Sequence, residues 1–135
     1  MDTFIYFAYG SNMLTERLRA RCPSAEIIGT ADAHGYKICF EKKGKYGSGK
    51  ATLASSDPRS DKTTGILFQI NKSELGQLDR AEGKNKGYYR DDKFPVTSTE
   101  NGNILAVTYI AEEFVRGLFP YDWYLALVVA GAMQH

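Results

Sequence analysis

The chain has 135 residues, of which 43% are hydrophobic and 24% charged, and its formal net charge is +1. This length and balanced composition predict one folded domain over residues 1–135 and argue against a disordered chain. So small a net charge creates no field that would attract nucleic acid or an anionic membrane, and we therefore expect a small-molecule ligand.

The first elements are predicted to be a strand, a tight turn and a helix. Residues 4–8 are β-branched and aromatic, which is typical of a buried strand, and Tyr9-Gly10-Ser11-Asn12 interrupts it. A helix is expected next, because Leu14 and Leu18 lie four residues apart and Pro23 ends the pattern.

The middle of the chain is predicted to contain curved strands and two loops. Residues 26–40 are strand-like but contain Gly29 and Gly35, which indicate bends or bulges of the kind that curve a sheet. Residues 41–50 are rich in lysine and glycine, and residues 55–62 are polar. Both segments are therefore expected to be loops on either side of a short strand.

A central strand and a second helix are expected to follow. Residues 65–70 form the clearest strand pattern in the chain, and Asn71 and Glu74 have the spacing of a capping box. The helix that they would begin runs through Leu78 and ends at Gly83, a residue suited to a left-handed cap.

The last third of the chain is predicted to form a β-hairpin and a buried helix. Strands over 88–99 and 104–111 flank Asn101-Gly102, a strong hairpin signal, and residues 121–133 are apolar almost all round. Several strands with few helices between them indicate an α+β fold with a curved mixed sheet. An α/β layer fold is the alternative.

The turn after the first strand is a candidate anion site. The first amides of a helix point outward unpaired, and Gly10 permits close approach, so a substrate carboxylate would suit this turn. The alternative is a capped turn without a ligand. Ser11 does not fit a hydrolase nucleophile, because Met13 stands where that motif needs glycine.

Glu82 is the candidate acid or base. It follows Leu78 by four residues and Leu75 by seven, so it shares the face that these leucines turn toward the core. Its place in the last helical turn, together with burial, predicts a raised pKa, which suits proton transfer. The alternative is an exposed glutamate at the helix end. Asp79 also follows a leucine, Leu75, by four residues, so spacing alone does not separate the two acids.

Cysteines and histidines are too few and too scattered to form a catalytic or metal-binding group. Cys22 and Cys39 lack a CxxC spacing, and His34 lies far from His135. We therefore predict no metal ion and no cofactor. The sequence has no signal-peptide core and no stretch of membrane-spanning length, so the expected compartment is the cytoplasm.

Two motifs together resemble the γ-glutamylcyclotransferase family. The run Tyr-Phe-Ala-Tyr-Gly-Ser-Asn-Met-Leu-Thr-Glu-Arg at 6–17 is similar to its N-terminal signature, in which a Tyr-Gly-Ser-Asn loop follows the first strand. Residues 78–83, with Tyr89 beyond them, resemble the segment that carries the catalytic glutamate and a pocket tyrosine. A weaker similarity over 120–132 places Tyr124 at the position of a substrate-contacting tyrosine.

The resemblance implies a small mixed, mostly antiparallel β-barrel with flanking helices. It also implies intramolecular aminolysis of a γ-glutamyl amide, which releases 5-oxoproline, with Glu82 and not Asp79 as the acid and base. The residues implied to contact the substrate are Tyr6, Phe7, Ala8, Tyr9, Gly10, Ser11, Asn12, Tyr89 and Tyr124.

Three alternatives stay open beside this activity: a γ-glutamylamine cyclotransferase, an enzyme that removes a γ-glutamyl protecting group, and a non-catalytic binder of small anions. The expected partner in each case is a small molecule, with neither nucleic acid nor membrane involved. A homodimer is left open as the assembly.

Overall fold

The computed structural model describes residues 2–10, 13, 15–43, 49–85 and 87–111. The predicted helix over 121–133 lies outside these residues. In chain order the elements are β1 (Thr3–Ala8), α1 (Thr15–Arg21), β2 (Glu26–His34), β3 (Tyr36–Lys43), β4 (Gly49–Ser55), β5 (Lys62–Asn71), a 3₁₀ turn (Lys72–Glu74), α2 (Leu75–Glu82), β6 (Tyr88–Ser98) and β7 (Gly102–Ala111).

Five strands close into a barrel in the order β1-β5-β2-β6-β7, and β3 and β4 pair separately as a two-stranded sheet. Neighbouring barrel strands are antiparallel. The exception is the closing contact between β7 and β1, which is parallel and sets Val107 beside Tyr6. This architecture confirms the predicted α+β fold with a mixed, mostly antiparallel barrel, and the layered α/β alternative is wrong.

β5 covers the residues with the clearest strand pattern, and it pairs with β1 on one side and with β2 on the other. Because the barrel is closed, β5 is not a central strand, and that part of the prediction is wrong. A side-chain carbon on Gly65 would lie 2.5 Å from the carbonyl oxygen of Ala8 and 2.6 Å from the ring of Phe7. The two strands therefore approach so closely here that only glycine fits. The bulge expected in β2 is also present, since the register of its pairing shifts between Ile27 and Gly29.

The capping box predicted at the start of α2 is wrong. Asn71 makes no side-chain capping hydrogen bond, and a 3₁₀ turn precedes the helix. The carboxylate of Glu74 instead accepts hydrogen bonds from the amide and hydroxyl of Ser24, at 3.1 and 2.6 Å. Ser24, which is distant in sequence, thus binds the Glu74 side chain that the capping box would have used.

The loop predicted over residues 41–50 is also wrong at both of its ends. β3 continues to Lys43 and β4 begins at Gly49, with Lys42 paired to Lys50 across the hairpin. Strand pairing satisfies the backbone polar groups whatever the side chains, so a composition rich in lysine and glycine did not prevent strand formation.

The alternation of β1 divides its side chains between two hydrophobic clusters. Tyr6 and Ala8 belong to a cluster that includes Leu18 of α1 and Leu78 of α2. Phe7 and Tyr9 belong to a second cluster, whose other members include Leu53, Leu67, Phe94 and Ile110. The first cluster, called here the helix-side cluster, is the one that brings α2 against the barrel. Within the described parts of the chain no helix is long and apolar enough to span a bilayer.

Gly65→Ala is expected to destabilise the fold by about 1–3 kcal/mol, because its methyl group must displace backbone and a buried ring. Gly76→Ala is the control. Its added carbon would meet only the end of the Arg80 side chain, at 3.6 Å, and alanine favours the helix. Urea unfolding measures both changes, and equal effects of the two substitutions would contradict the close approach.

Candidate active site

The end of α2 fixes where its carboxylates lie. Gly83 closes the helix in the left-handed conformation with φ 79°, and the amide of Lys84 donates to the carbonyl of Asp79 at 3.0 Å. Leu78 is completely buried against the barrel. Since residues three and four apart share a helical face, this burial turns Glu82 toward the barrel as well.

The carboxylate of Glu82 meets the first strand. The hydroxyl of Tyr6 donates a hydrogen bond of 2.6 Å to Glu82 Oε1, across 76 residues of sequence. Tyr6 is 4% exposed and Glu82 is partly buried. The inward orientation predicted for Glu82 is therefore confirmed, and the exposed-end alternative is wrong. The contact also joins the two motifs on which the family resemblance depends.

Asp79 faces inward too, but it has different partners. It accepts a hydrogen bond of 2.6 Å from the hydroxyl of Tyr109 and forms an ion pair of 2.6 Å with the guanidinium of Arg90. Burial, and then the hydrogen bond to Asp79, raises the pKa of the Tyr109 phenol above its ordinary value of 10.0. Tyr109 therefore stays protonated near neutral pH and acts as a hydrogen-bond donor.

Tyr109 also contacts Tyr6 of β1 and Tyr9, the residue that follows this strand. Its ring meets that of Tyr6 edge to face, with centroids 6.1 Å apart, and its carbonyl oxygen accepts a hydrogen bond from the Tyr9 hydroxyl. Sequence reasoning missed Tyr109, Asp79 and Arg90 as members of one cluster. Alternation along β7 was the available signal for Tyr109, but alternation does not reveal which carboxylate a side chain meets.

The structure brings some of the predicted substrate contacts to Glu82 and places others elsewhere. Tyr6 and Ala8 lie in the helix-side cluster, whereas Phe7, which is fully buried, and Tyr9 lie in the other. The chain bends at Gly10, whose carbonyl accepts a hydrogen bond from the Met13 amide at 3.0 Å. Ser11, Asn12 and Tyr124 lie outside the described residues.

Tyr89 lies on the opposite face of β6 from its neighbour Tyr88. Tyr88 is 7% exposed and belongs to the helix-side cluster, while Tyr89 is 45% exposed. Tyr89 borders a depression of about 430 Å³ together with Tyr36, Asp91, Phe94 and others. Burial and then the nearby Asp91 raise the pKa of its phenol. The structure thus places Tyr89 at this depression and not in the helix-side cluster.

The described residues contain no group of three or more histidine, cysteine or acidic side chains that could hold a metal ion. Cys22 is buried, and desolvation, followed by the negative charge of Glu74, raises the pKa of its thiol to about 11. The thiol is therefore protonated near neutral pH, where it is a poor nucleophile. Carboxylates and phenols remain as the groups for acid–base chemistry in this region.

Three comparisons with known proteins agree with one another. A family model described as the AIG2-like family matches residues 62–135. Curated γ-glutamylcyclotransferases of Bos taurus and Homo sapiens are each 32% identical to the chain, over 99% of its length and 72% of theirs. A solved structure named γ-glutamyl cyclotransferase superposes with a TM-score of 0.89 at 30% identity, over 98% of this chain and 80% of that one.

Tyr109→Phe is expected to make stability less sensitive to alkaline pH. Folding raises the pKa of Tyr109 above 10.0, so the unfolded chain loses this proton at a lower pH than the folded protein does. The stability that the protonated phenol contributes is therefore complete below pH 10.0 and declines as the pH rises further. The substitution should remove at most about 1.4 kcal/mol per pH unit from the slope of the unfolding free energy against pH. Urea unfolding of both proteins from about pH 9 to 11 gives the two slopes, and identical slopes would refute the assignment.

Proposed function

Since the chain belongs to the AIG2-like family and to the γ-glutamylcyclotransferases, we propose that Glu82 is the acid and base of its reaction. The observation that carries this proposal is the hydrogen bond of 2.6 Å from Tyr6 to Glu82. It orients one carboxylate oxygen and leaves the group in a partly buried position beside the strand that leads into the Tyr-Gly-Ser-Asn turn.

The reaction requires protons to be removed from one nitrogen and supplied to another. The α-amino nitrogen of a γ-glutamyl group attacks its own γ-carbonyl carbon, which closes the ring of 5-oxoproline and breaks the bond to the leaving nitrogen. The α-ammonium must lose one proton before it attacks and a second as it becomes the ring amide. The leaving nitrogen must gain one proton to depart as an amine and takes a second from water to become an ammonium. A single carboxylate can accept the first proton and return it to the leaving amine.

The contacts of the two carboxylates support this assignment over one to Asp79. Asp79 has both oxygens engaged, Oδ1 by the Tyr109 hydroxyl and Oδ2 by the Arg90 guanidinium, each at 2.6 Å. These two contacts suit a carboxylate that stays in a fixed position. Glu82 is the carboxylate that lies beside the strand leading into the Tyr-Gly-Ser-Asn turn, where the substrate is proposed to bind.

The turn after β1 is proposed to hold the substrate. The bend at Gly10 permits a ligand to approach the backbone closely, which would suit the substrate carboxylate or the oxyanion that develops on the γ-carbonyl. The full set of proposed substrate contacts is Tyr6, Phe7, Ala8, Tyr9, Gly10, Ser11, Asn12, Tyr89 and Tyr124. For the buried Phe7 and Ala8 the proposed contact is through backbone, and the reaction as written uses neither metal nor cofactor.

Glu82→Gln is expected to lower turnover by roughly 100-fold or more, because glutamine keeps the volume and the hydrogen bond from Tyr6 but cannot take a proton. Folding and substrate binding should change little. Glu100→Gln, an exposed position in the β6–β7 turn, is the control and should match the unmodified protein. Normal turnover by a folded Glu82→Gln protein would refute the assignment.

The substrate is expected to be found among γ-glutamyl amino acids, γ-glutamylamines and glutathione, with 5-oxoproline as the shared product. Assaying released 5-oxoproline across this panel would identify the leaving group and would separate an enzyme of glutathione metabolism from one that removes a γ-glutamyl protecting group. Chelator treatment should leave the rate unchanged. Failure of every member of the panel to give 5-oxoproline would count against the proposed reaction.

A further inference from the structure

Asp79 is a second inward-facing carboxylate, three residues before Glu82 in α2. Its side chain is 19% exposed and that of its partner Arg90 is 21% exposed, with 2.6 Å between Oδ2 and Nη1. In so poorly solvated a position each charge depends on the other. Loss of either partner would change the net charge about one helical turn from Glu82.

Arg90 has an outer partner as well. Its Nε donates to Asp92 Oδ1 at 2.7 Å, and the Asp92 side chain is 59% exposed. The guanidinium therefore lies between an inner and an outer carboxylate. Because Asp92 makes an ion pair with the same cation from the solvent side, its removal provides a matched control for removal of Asp79.

Tyr109 connects Asp79 to the hydrogen-bond partner of Glu82. Its hydroxyl donates to Asp79 at 2.6 Å, and its ring packs edge to face on Tyr6. Tyr6 in turn donates to Glu82. A shift of Tyr109 would therefore displace the Tyr6 ring and, with it, the donor that orients the catalytic carboxylate.

We propose that Asp79, Arg90 and Tyr109 act as positioning residues for Glu82, holding the Tyr6 donor in place and balancing the charge beside it. This inference rests on the proposed role of Glu82 as acid and base. A merely structural cluster would affect stability alone, whereas a positioning cluster also affects the chemical step and its pH dependence.

The charge balance gives the pH dependence a definite sign. Without the Asp79 charge, the Arg90 cation favours the Glu82 carboxylate and lowers the pKa of Glu82. Without the Arg90 charge, the Asp79 anion disfavours that carboxylate and raises the pKa. Because Glu82 must first accept a proton, its pKa sets the acidic limb of kcat/KM. That limb should therefore move to lower pH in Asp79→Asn and to higher pH in Arg90→Gln.

Among the described residues, the titratable groups on the elements packed around α2 include Tyr6, Cys22, Tyr88 and Tyr109, with Arg21 and Glu74 acting on the same Cys22 thiol. Phenols ordinarily ionise near pH 10. Burial raises the pKa of Cys22 to about 11. Movement of the acidic limb between about pH 4 and 8 thus reports the Asp79–Arg90 pair.

The test measures kcat, KM and the pH profile of kcat/KM for full-chain Asp79→Asn, Tyr109→Phe, Arg90→Gln and Arg90→Lys, with Asp92→Asn as the control. We expect kcat of Asp79→Asn and Tyr109→Phe to fall roughly 10-fold, with KM changed by less than about twofold, because misplacing the base affects the chemical step. Asp92→Asn should match the unmodified protein. Arg90→Lys keeps the cation, so its acidic limb should stay in place.

The inference is overturned if Asp79→Asn has the same kcat as Asp92→Asn, or if the acidic limbs of Asp79→Asn and Arg90→Gln do not move in opposite directions. If Asp79→Asn fails to fold, Arg90→Gln is compared with Arg90→Lys instead. Acidic limbs of kcat/KM at the same pH in these two proteins would then overturn the inference. The proposed function fails separately. Normal turnover by Glu82→Gln removes the role of Glu82, whereas an inactive Glu82→Gln beside a fully active Asp79→Asn removes only the positioning role.

Discussion

The hydrogen bond from Tyr6 to Glu82 is the contact on which the rest of this site depends. Its two residues are 76 positions apart, and they meet because β1 is both paired with β5 and closed against β7. The buried Leu78 holds the neighbouring face of α2 against the same cluster. A donor on a barrel strand therefore meets an acceptor on a packed helix, and neither position depends on a long mobile loop.

The two carboxylates of α2 illustrate how environment assigns chemical roles to similar side chains. Asp79 and Glu82 lie on one face of one helix, yet Asp79 is paired with a cation and Glu82 accepts from a phenol. Both oxygens of Asp79 are engaged, one by Tyr109 and one by Arg90, which suits a carboxylate in a fixed position. The Tyr6 hydroxyl orients Glu82 beside the first strand, which suits its proposed role as acid and base.

Strand alternation divides the aromatic residues of this protein between two surfaces. Tyr6 and Tyr88 face the helix-side cluster, and Tyr89 faces the depression that Tyr36 and Phe94 border. The side chains of neighbouring residues thus lie on different sides of the barrel wall, since successive side chains of a strand point in opposite directions. Consecutive residues of one motif therefore place their side chains in different clusters.

The sequence by itself determined the α+β fold class, the order of the helices and long strands among the described residues, the strand at β5, the end of α2 at Gly83 and the inward face of Glu82. These follow from hydrophobic periodicity and turn chemistry, which act over a few residues. Tertiary structure alone decided that Glu74 bonds Ser24 instead of capping a helix, that Tyr6 reaches Glu82, and that Asp79 meets Tyr109 and Arg90. Such partners lie 11 to 76 residues apart, and strand pairing and barrel closure, not local propensity, bring them together.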